Sequence, residues 1–282
     1  MSYRKKHVKN KIYKIKPKKS IFKKLWFWIL LLFLITVAVV FYFILFYPGI
    51  QVKNIMISGN QKNKTQELQN IILDDARAGL VDLWNIKITS GSILLVNNDK
   101  LDKEILRKFP SIKTAETNKK YPQTLNLIIT ERQPIGAYCY NSGQCFLIDE
   151  NGIIFEPAPS NLDNICIVRQ TQENSPILIG KQAVAQNTAS AIYKIQKSLK
   201  DNFQIGLKEA LVASDIRLNV RTSEDWKIYF DLSADSDINL QITKLNLLLN
   251  GDISAVSRKN LYYIDLRPKD RAIICDNKTC GG

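Results

Sequence analysis

The chain is 282 residues long and carries 40 Lys plus Arg against 26 Asp plus Glu, for a formal net charge of +14. Eleven of the basic residues (Arg4, Lys5, Lys6, Lys9, Lys11, Lys14, Lys16, Lys18, Lys19, Lys23 and Lys24) stand in the first 24 positions with no acidic residue among them, which leaves 29 basic and 26 acidic residues in the remainder. The excess belongs to a tail, which argues against nucleic acid as the partner of the folded part, and the lone histidine, His7, leaves no Ser-His-Asp or Cys-His site beyond that tail.

Leu25 to Phe46 is a run of 22 residues without a charge, rich in Leu, Ile, Val and Phe. As a helix rising about 1.5 Å per residue it reaches the ~30 Å of a bilayer core. A cleaved signal peptide has an apolar region of roughly 7–15 residues closed by a small-x-small site, and Phe46-Tyr47-Pro48-Gly49 offers none. Lys23 and Lys24 abut one end of the run, and the next charge past the other end is Lys53. The bias of basic residues places the tail in the cytoplasm and residues from about 47 onward outside it. Beside a span, the tail's lysines suit anionic lipid headgroups, at roughly 1 kcal/mol per basic residue near the surface. Trp26, Trp28, Tyr42 and Tyr47 lie toward the two ends, where amphipathic rings favour the interface.

Beyond the span, Val52, Ile55 and Ile57 run into Ser58-Gly59-Asn60 as a short strand ending in a turn. A helix is expected over 65–78, and residues 79–97 carry no clear signal. Asn98 or Asp99 can cap a second helix, whose Leu101, Ile105 and Phe109 share one face and which Pro110 stops. Two strands follow, 112–117 and 124–131, the second alternating Leu125, Leu127 and Ile129 with Asn126, Ile128 and Thr130. The order is βααββ. After Pro134 strands dominate: 135–140, 145–148, 153–156 and 165–168, with Asn151-Gly152 as a hairpin turn. A helix is expected over 182–200, strands over 211–220 and 226–232, and a short helix capped by Asp237 that ends at Asn250-Gly251. The chain closes with a strand over 261–267, the turn Pro268-Lys269-Asp270 and a last strand over 271–275.

This order resembles that of the FtsQ/DivIB family of bacterial cell-division proteins. The residues that carry the resemblance are Val52-x-x-Ile55-x-Ile57-x-Gly59-Asn60, Phe109-Pro110-x-Ile112-x-x-Ala115, and Tyr121-Pro122-x-Thr124-Leu125-x-Leu127-x-Ile129-x-Glu131-Arg132-x-Pro134. Leu147-Ile148-Asp149-x-x-Gly152-x-Ile154-Phe155 and Ile264-Asp265-Leu266-Arg267 are similar to the family's β domain. Thr117 stands where the family usually carries an apolar residue, and residues 79–97 are longer than its connector between helices. The resemblance implies an α+β chain: a basic cytoplasmic tail over 1–24, a single transmembrane helix over 25–46, a βααββ POTRA domain over 50–132, a mixed β-rich domain with packed helices over 133–275, and a C-terminal tail over 276–282. It also implies a non-catalytic protein of the plasma membrane and division septum that recruits and bridges divisome members, with FtsB/DivIC-like and FtsL-like proteins as partners. Two other readings share these features, a membrane-tethered envelope enzyme such as a carboxylate-dependent glycan hydrolase, and a POTRA-bearing secretion or assembly protein, for which no β-barrel sequence follows.

Catalytic and metal-binding motifs are missing: no HExxH, GxSxG or phosphate-binding Gly loop occurs. The carboxylate pairs Asp74/Asp75, Asp149/Glu150 and Glu224/Asp225 are adjacent residues whose side chains point apart in strands or turns. No cofactor or metal site is expected. Five cysteines suit an oxidising compartment better than zinc, because no histidine supports them. With Asn141-Ser142-Gly143 as a three-residue loop, Cys139 faces Cys145 across a hairpin, and Cys275 and Cys280 bracket a second turn. Cys166, between Ile165 and Ile167, reads as a buried apolar residue. The strand Arg271, Ala272, Ile273, Ile274 and Cys275 pairs with its predecessor on one side only. It is therefore the expected partner-binding edge, open to extension by a strand of the FtsB-like partner that the resemblance implies.

Overall fold

The computed structural model describes residues 24–282 apart from 61–64, 77–80, 84–85, 89, 141, 172–177, 278–279 and 281–282. All of the basic tail except Lys24, and Asn141 of the cysteine hairpin, lie outside the described residues. Helix α1 (Leu25–Phe46) is uninterrupted. Its 22 uncharged residues make it long and apolar enough to cross a membrane, and nearly all its side chains are exposed rather than packed on the protein.

Strand β1 (Asn54–Ser58), helix α2 (Thr65–Ala76), strands β2 (Val81–Leu83) and β3 (Ile86–Ile88), helix α3 (Asn98–Lys108) and strands β4 (Ile112–Lys120) and β5 (Thr124–Glu131) follow. The βααββ order is present, and the stretch that carried no sequence signal adds a small hairpin, β2–β3, between the helices. Strand β5 is central in a sheet of order β1-β5-β4, parallel to β1 and antiparallel to β4. Its alternation decides which face is buried: Leu125, Leu127 and Ile129 pack against Leu68 and Ile72 of α2 and Leu101 and Ile105 of α3, each side chain contributing roughly 1.5–3 kcal/mol.

Three local features explain motif residues. Gly59 has φ +87°, and a Cβ there would stand 2.0 Å from the Ile129 carbonyl oxygen, so the turn after β1 admits only glycine. The cap of α3 is Asn97, whose side chain accepts from Lys100 N at 3.1 Å. The expected caps, Asn98 and Asp99, stand one and two residues too late, and the Asn98 amide instead reaches Thr117 O at 2.7 Å. The hydroxyl of buried Thr117 donates to Asp102 Oδ1 at 2.5 Å, so a polar residue is satisfied where the family usually has an apolar one.

The second domain comprises β6 (Gly136–Cys139), β7 (Cys145–Ile148), β8 (Ile154–Pro157), β9 (Ile167–Gln170), α4 (Gln186–Phe203), β10 (Leu207–Ser214), β11 (Arg217–Thr222), β12 (Lys227–Asp231), α5 (Ile238–Asn250), β13 (Leu261–Asp265) and β14 (Ile273–Asp276). All eleven strands and helices serve one core, in which a nine-stranded sheet of order β14-β13-β12-β11-β10-β9-β6-β7-β8 packs with α4 and α5. Ile192, Ile195 and Leu199 of α4 and Leu245 and Leu249 of α5 meet Trp226, Ile228 and Phe230 in that core.

Two expected elements are corrected. The single strand over 211–220 is a hairpin, turning at Asp215-Ile216 with Val212 opposite Leu218. Ala210, Val212, Leu218 and Val220 are all buried, so the alternation keeps its parity through the turn and periodicity by itself shows no break. The helix expected from 182 begins at Gln186. Residues 182–184 are held on the hairpin turn instead, with Gln182 bridged to Ile153 and Ala183 N donating to Gly152 O at 2.8 Å. A Cβ on Gly152 would lie 1.9 Å from Val184 O, which is why the turn needs glycine there. Strand β9 also lies two residues later than expected, after a turn in which Ile165 N donates to Leu162 O.

Candidate partner-binding edge and the joint between domains

Strand β14 ends the nine-stranded sheet, antiparallel to β13 with Asp265 opposite Ile273 and Ile264 opposite Ile274. Of the five residues expected to form the edge, Ile273, Ile274 and Cys275 are in it, while Arg271 and Ala272 precede it and Asp276 joins it. The cause is the connection. Leu266 N turns to Tyr229 O on β12 at 3.0 Å, and Lys244 of α5 holds the carbonyls of Pro268 and Lys269. The chain is therefore released into strand geometry only at Ile273, which is 41% exposed, while Ile274, opposite the buried Ile264, packs against the core.

Asp265 and Arg267 brace the start of this connection. The guanidinium donates from Nε to Oδ1 at 2.8 Å and from Nη2 to Oδ2 at 2.5 Å, and Arg267 N adds a bond to Oδ1 at 3.1 Å. Burial opposes ionisation of Asp265, but these hydrogen bonds and the Arg267 charge hold its carboxyl below the usual carboxylate range. The Arg267 guanidinium also lies 5.5 Å from the centroid of the Tyr229 ring, with Arg217 at 5.9 Å, and Tyr229 packs against Tyr263 at 5.3 Å. This cluster across β11, β12 and β13 was not singled out from the sequence, because only strand pairing brings Arg217, Tyr229 and Tyr263 together.

The structure joins Cys139 to Cys145, directly opposed in the β6–β7 pair, and Cys275 to Cys280. Tyr140 N donates to Gln144 O and Gly143, with φ +88°, closes the first turn. Cys280 N donates to Asp276 O across the second. Cys166 is free and buried, and that burial, with a smaller effect from Glu209, pushes its thiol up to about 12.

Four carboxylates of the adjacent pairs are engaged separately. Glu224 takes Trp226 Nε1 and the Arg258 guanidinium, Asp225 takes Lys208 and Arg221, and Glu150 takes Lys113 at 2.7 Å. Asp149 is 2% exposed; its Oδ2 accepts from Arg132 Nη1 at 2.5 Å and its Oδ1 from Asn151 N and Ile153 N. Among the described residues no three His, Cys, Asp or Glu side chains gather as metal ligands.

Arg132 is the hinge pin of the molecule. Its backbone N donates to Ser111 O at 2.8 Å, its Nε to Pro110 O at 2.9 Å and its Nη1 to Asp149. Three motif segments thus converge on one side chain: the Phe109-Pro110 step, the Glu131-Arg132 strand end and the Ile148-Asp149 strand end. The sequence held that signal, since each segment was singled out, but nothing in it says that they touch.

These observations define, among the described residues, one helix long and apolar enough to cross a membrane, followed by a βααββ domain docked on a larger sheet domain that ends in an edge strand. Comparison with known families matches residues 50–132 to the FtsQ-type POTRA domain and residues 137–267 to the C-terminal domain of the cell division protein FtsQ/DivIB. The chain belongs to the FtsQ/DivIB family of cell-division proteins. It is 27% identical over 110 residues to the cell division protein DivIB of Clostridium acetobutylicum, a stretch that is 39% of this chain and 38% of that relative's length. The C-terminal match stops at Arg267, so β14 lies beyond it and is placed in the domain by its pairing with β13.

Proposed function

We propose that this protein is a non-catalytic, bitopic scaffold that recruits and bridges divisome components, and that β14 receives a strand from an FtsB/DivIC-like partner acting with an FtsL-like one. The observation that carries the reading is the position of β14 at the end of the sheet order, one edge on β13 and Ile273 turned outward. Sheet termini are covered, blunted or used, and strand addition supplies main-chain bonds for affinity and alternate side chains for specificity. The separate engagement of Asp149, Glu150, Glu224 and Asp225 by their own cations or amides supports a structural role over a glycan-cleaving pair, which would need two convergent acids. The proposed orientation, tail inside and both domains outside, is supported by the basic tail and by the paired cysteines, which suit an oxidising compartment. The domain division proposed is that drawn from the sequence, with a sheet domain over 133–275 whose last strand, β14, runs one residue further to Asp276.

The test is co-purification from membranes. Ile273→Pro removes a backbone donor and fixes φ, and it is expected to abolish capture of the FtsB-like partner while the POTRA domain stays folded. Ile273→Thr keeps the backbone and should retain capture. Wild-type capture by the proline variant sinks the edge-strand mechanism and moves the search to the POTRA domain or α1.

A further inference from the structure

The end of α1 meets the POTRA domain through fixed bonds rather than a slack linker. The last carbonyls of a helix have no internal partner, and here that of Leu45 accepts from Ser90 Oγ at 2.6 Å and Gln51 Nε2 at 2.8 Å. The Leu45 side chain is itself buried. Just beyond, Val52 N donates to Gly91 O and Ile93 N to Ile50 O, both at 2.8 Å. Gln123, the last residue of the β4–β5 turn, donates from Nε2 to Pro48 O at 3.1 Å and accepts at its carbonyl from Lys53 N at 2.9 Å. The Tyr121-Pro122 turn is therefore held beside a residue only two positions past the last residue of α1.

The composition of this end of the domain is one-sided. Residues 45–58, 90–97 and 117–124 converge here with three lysines, Lys53, Lys119 and Lys120, and no carboxylate of their own; Asp102 and Glu116 reach only its margin, at Thr117 and Asn118. Tyr121 is 61% exposed at the tip of the turn, and Leu94, whose carbonyl accepts from Lys119 Nζ at 3.3 Å, is 45% exposed. An exposed tyrosine and leucine flanked by lysines, beside the exit of a spanning helix, match the membrane interface: rings seat at headgroup level and ammonium groups bind anionic headgroups.

We infer that this end of the POTRA domain is a lipid-binding face, seated through Tyr121, Leu94 and the three lysines on the anionic phospholipid headgroups of the leaflet where α1 emerges. The inference rests on reading α1 as a span. With the Leu45 carbonyl pinned to the domain, such seating fixes the attitude of the POTRA domain to the membrane and, through Arg132, that of the sheet domain.

The test uses the full chain in nanodiscs of mixed phosphatidylglycerol and phosphatidylcholine, with the photo-crosslinker benzoylphenylalanine placed at one position at a time. Position 34, inside α1, reports the span. Position 121 reports the proposed face. Position 193, on α4 beside the domain joint at the far end of β4, is the control. Lipid adducts are expected at 34 and 121, with the yield at 121 at least tenfold above that at 193. The yield at 121 should fall roughly fivefold or more with Lys53→Glu, Lys119→Glu and Lys120→Glu combined, or in discs of phosphatidylcholine alone, as expected for charges at an anionic surface. Adducts at 34 with none above control at 121 overturn the lipid-binding face and leave the span standing, whereas no adduct at 34 overturns the span and the inference together. A yield at 121 indifferent to lysine reversal and to lipid charge overturns the headgroup recognition.

Discussion

Asp265 and Arg267 stand two residues apart in the Asp-Leu-Arg segment, and their bidentate pairing shows how one side chain's environment sets its titration. The folded-state carboxyl ionises below its unfolded value of about 3.9. Asp265 therefore stabilises the fold fully above that value, and its contribution disappears as the pH falls through the lowered folded-state value. Asp265→Asn should cost about 1–2 kcal/mol at pH 7, near the lower end for a charged hydrogen bond because Arg267 is about one-third exposed. The difference between variant and wild type in urea melts should shrink as the pH is lowered from 7 to 3. A constant difference would show that the pair is not what titrates.

At the level of elements, the β6–β7 hairpin carries a disulfide that the sequence spacing already suggested, because a strand pair joined by a tight turn puts its flanking residues opposite one another, and a second bond ties Cys275 of β14 to Cys280 just beyond it. Mass spectrometry of protein taken unreduced from its native membrane should show Cys139–Cys145 and Cys275–Cys280 bonded and Cys166 as a thiol that resists alkylation until unfolding. Free thiols at the four paired positions would refute the pairing. Each bond closes a short loop, so replacing either pair by serine should cost roughly 2 kcal/mol, less than a long-range bond would. Helix α5 was legible for a similar local reason: Asp237 accepts from Asn239 N and Gly251 follows the last turn. The start of α4 was not, because residues 182–184 are drawn onto the Gly152 turn by contacts far away in sequence.

Across the whole molecule, the POTRA domain and the sheet domain are coupled through Arg132 and Asp149, 12% and 2% exposed, with the more exposed Lys113–Glu150 pair beside them. Removing one partner of a buried pair strands the other charge. Arg132→Ala is therefore expected to destabilise the full chain by about 3 kcal/mol and to split one thermal transition into two, read by differential scanning calorimetry in detergent. A single transition at the wild-type temperature would show that the joint is not coupled through this side chain.

The sequence by itself determined the membrane span, the order of elements and the family, since an uncharged run of 22 residues, alternation such as Leu125-Leu127-Ile129 and turn residues such as Gly59 and Gly152 are local consequences of solvent exclusion and backbone geometry. It also led to the expectation of a last strand at an edge, where the sheet order puts β14. Only the tertiary structure decided that Arg271 and Ala272 belong to the connection, that residues 211–220 contain a turn, and that Ser90 and Gln51 cap the helix at Leu45. Each of these depends on a partner brought close by folding, such as Lys244 for the connection or the Leu45 carbonyl for Ser90, and neither periodicity nor spacing encodes a contact between residues 45 positions apart.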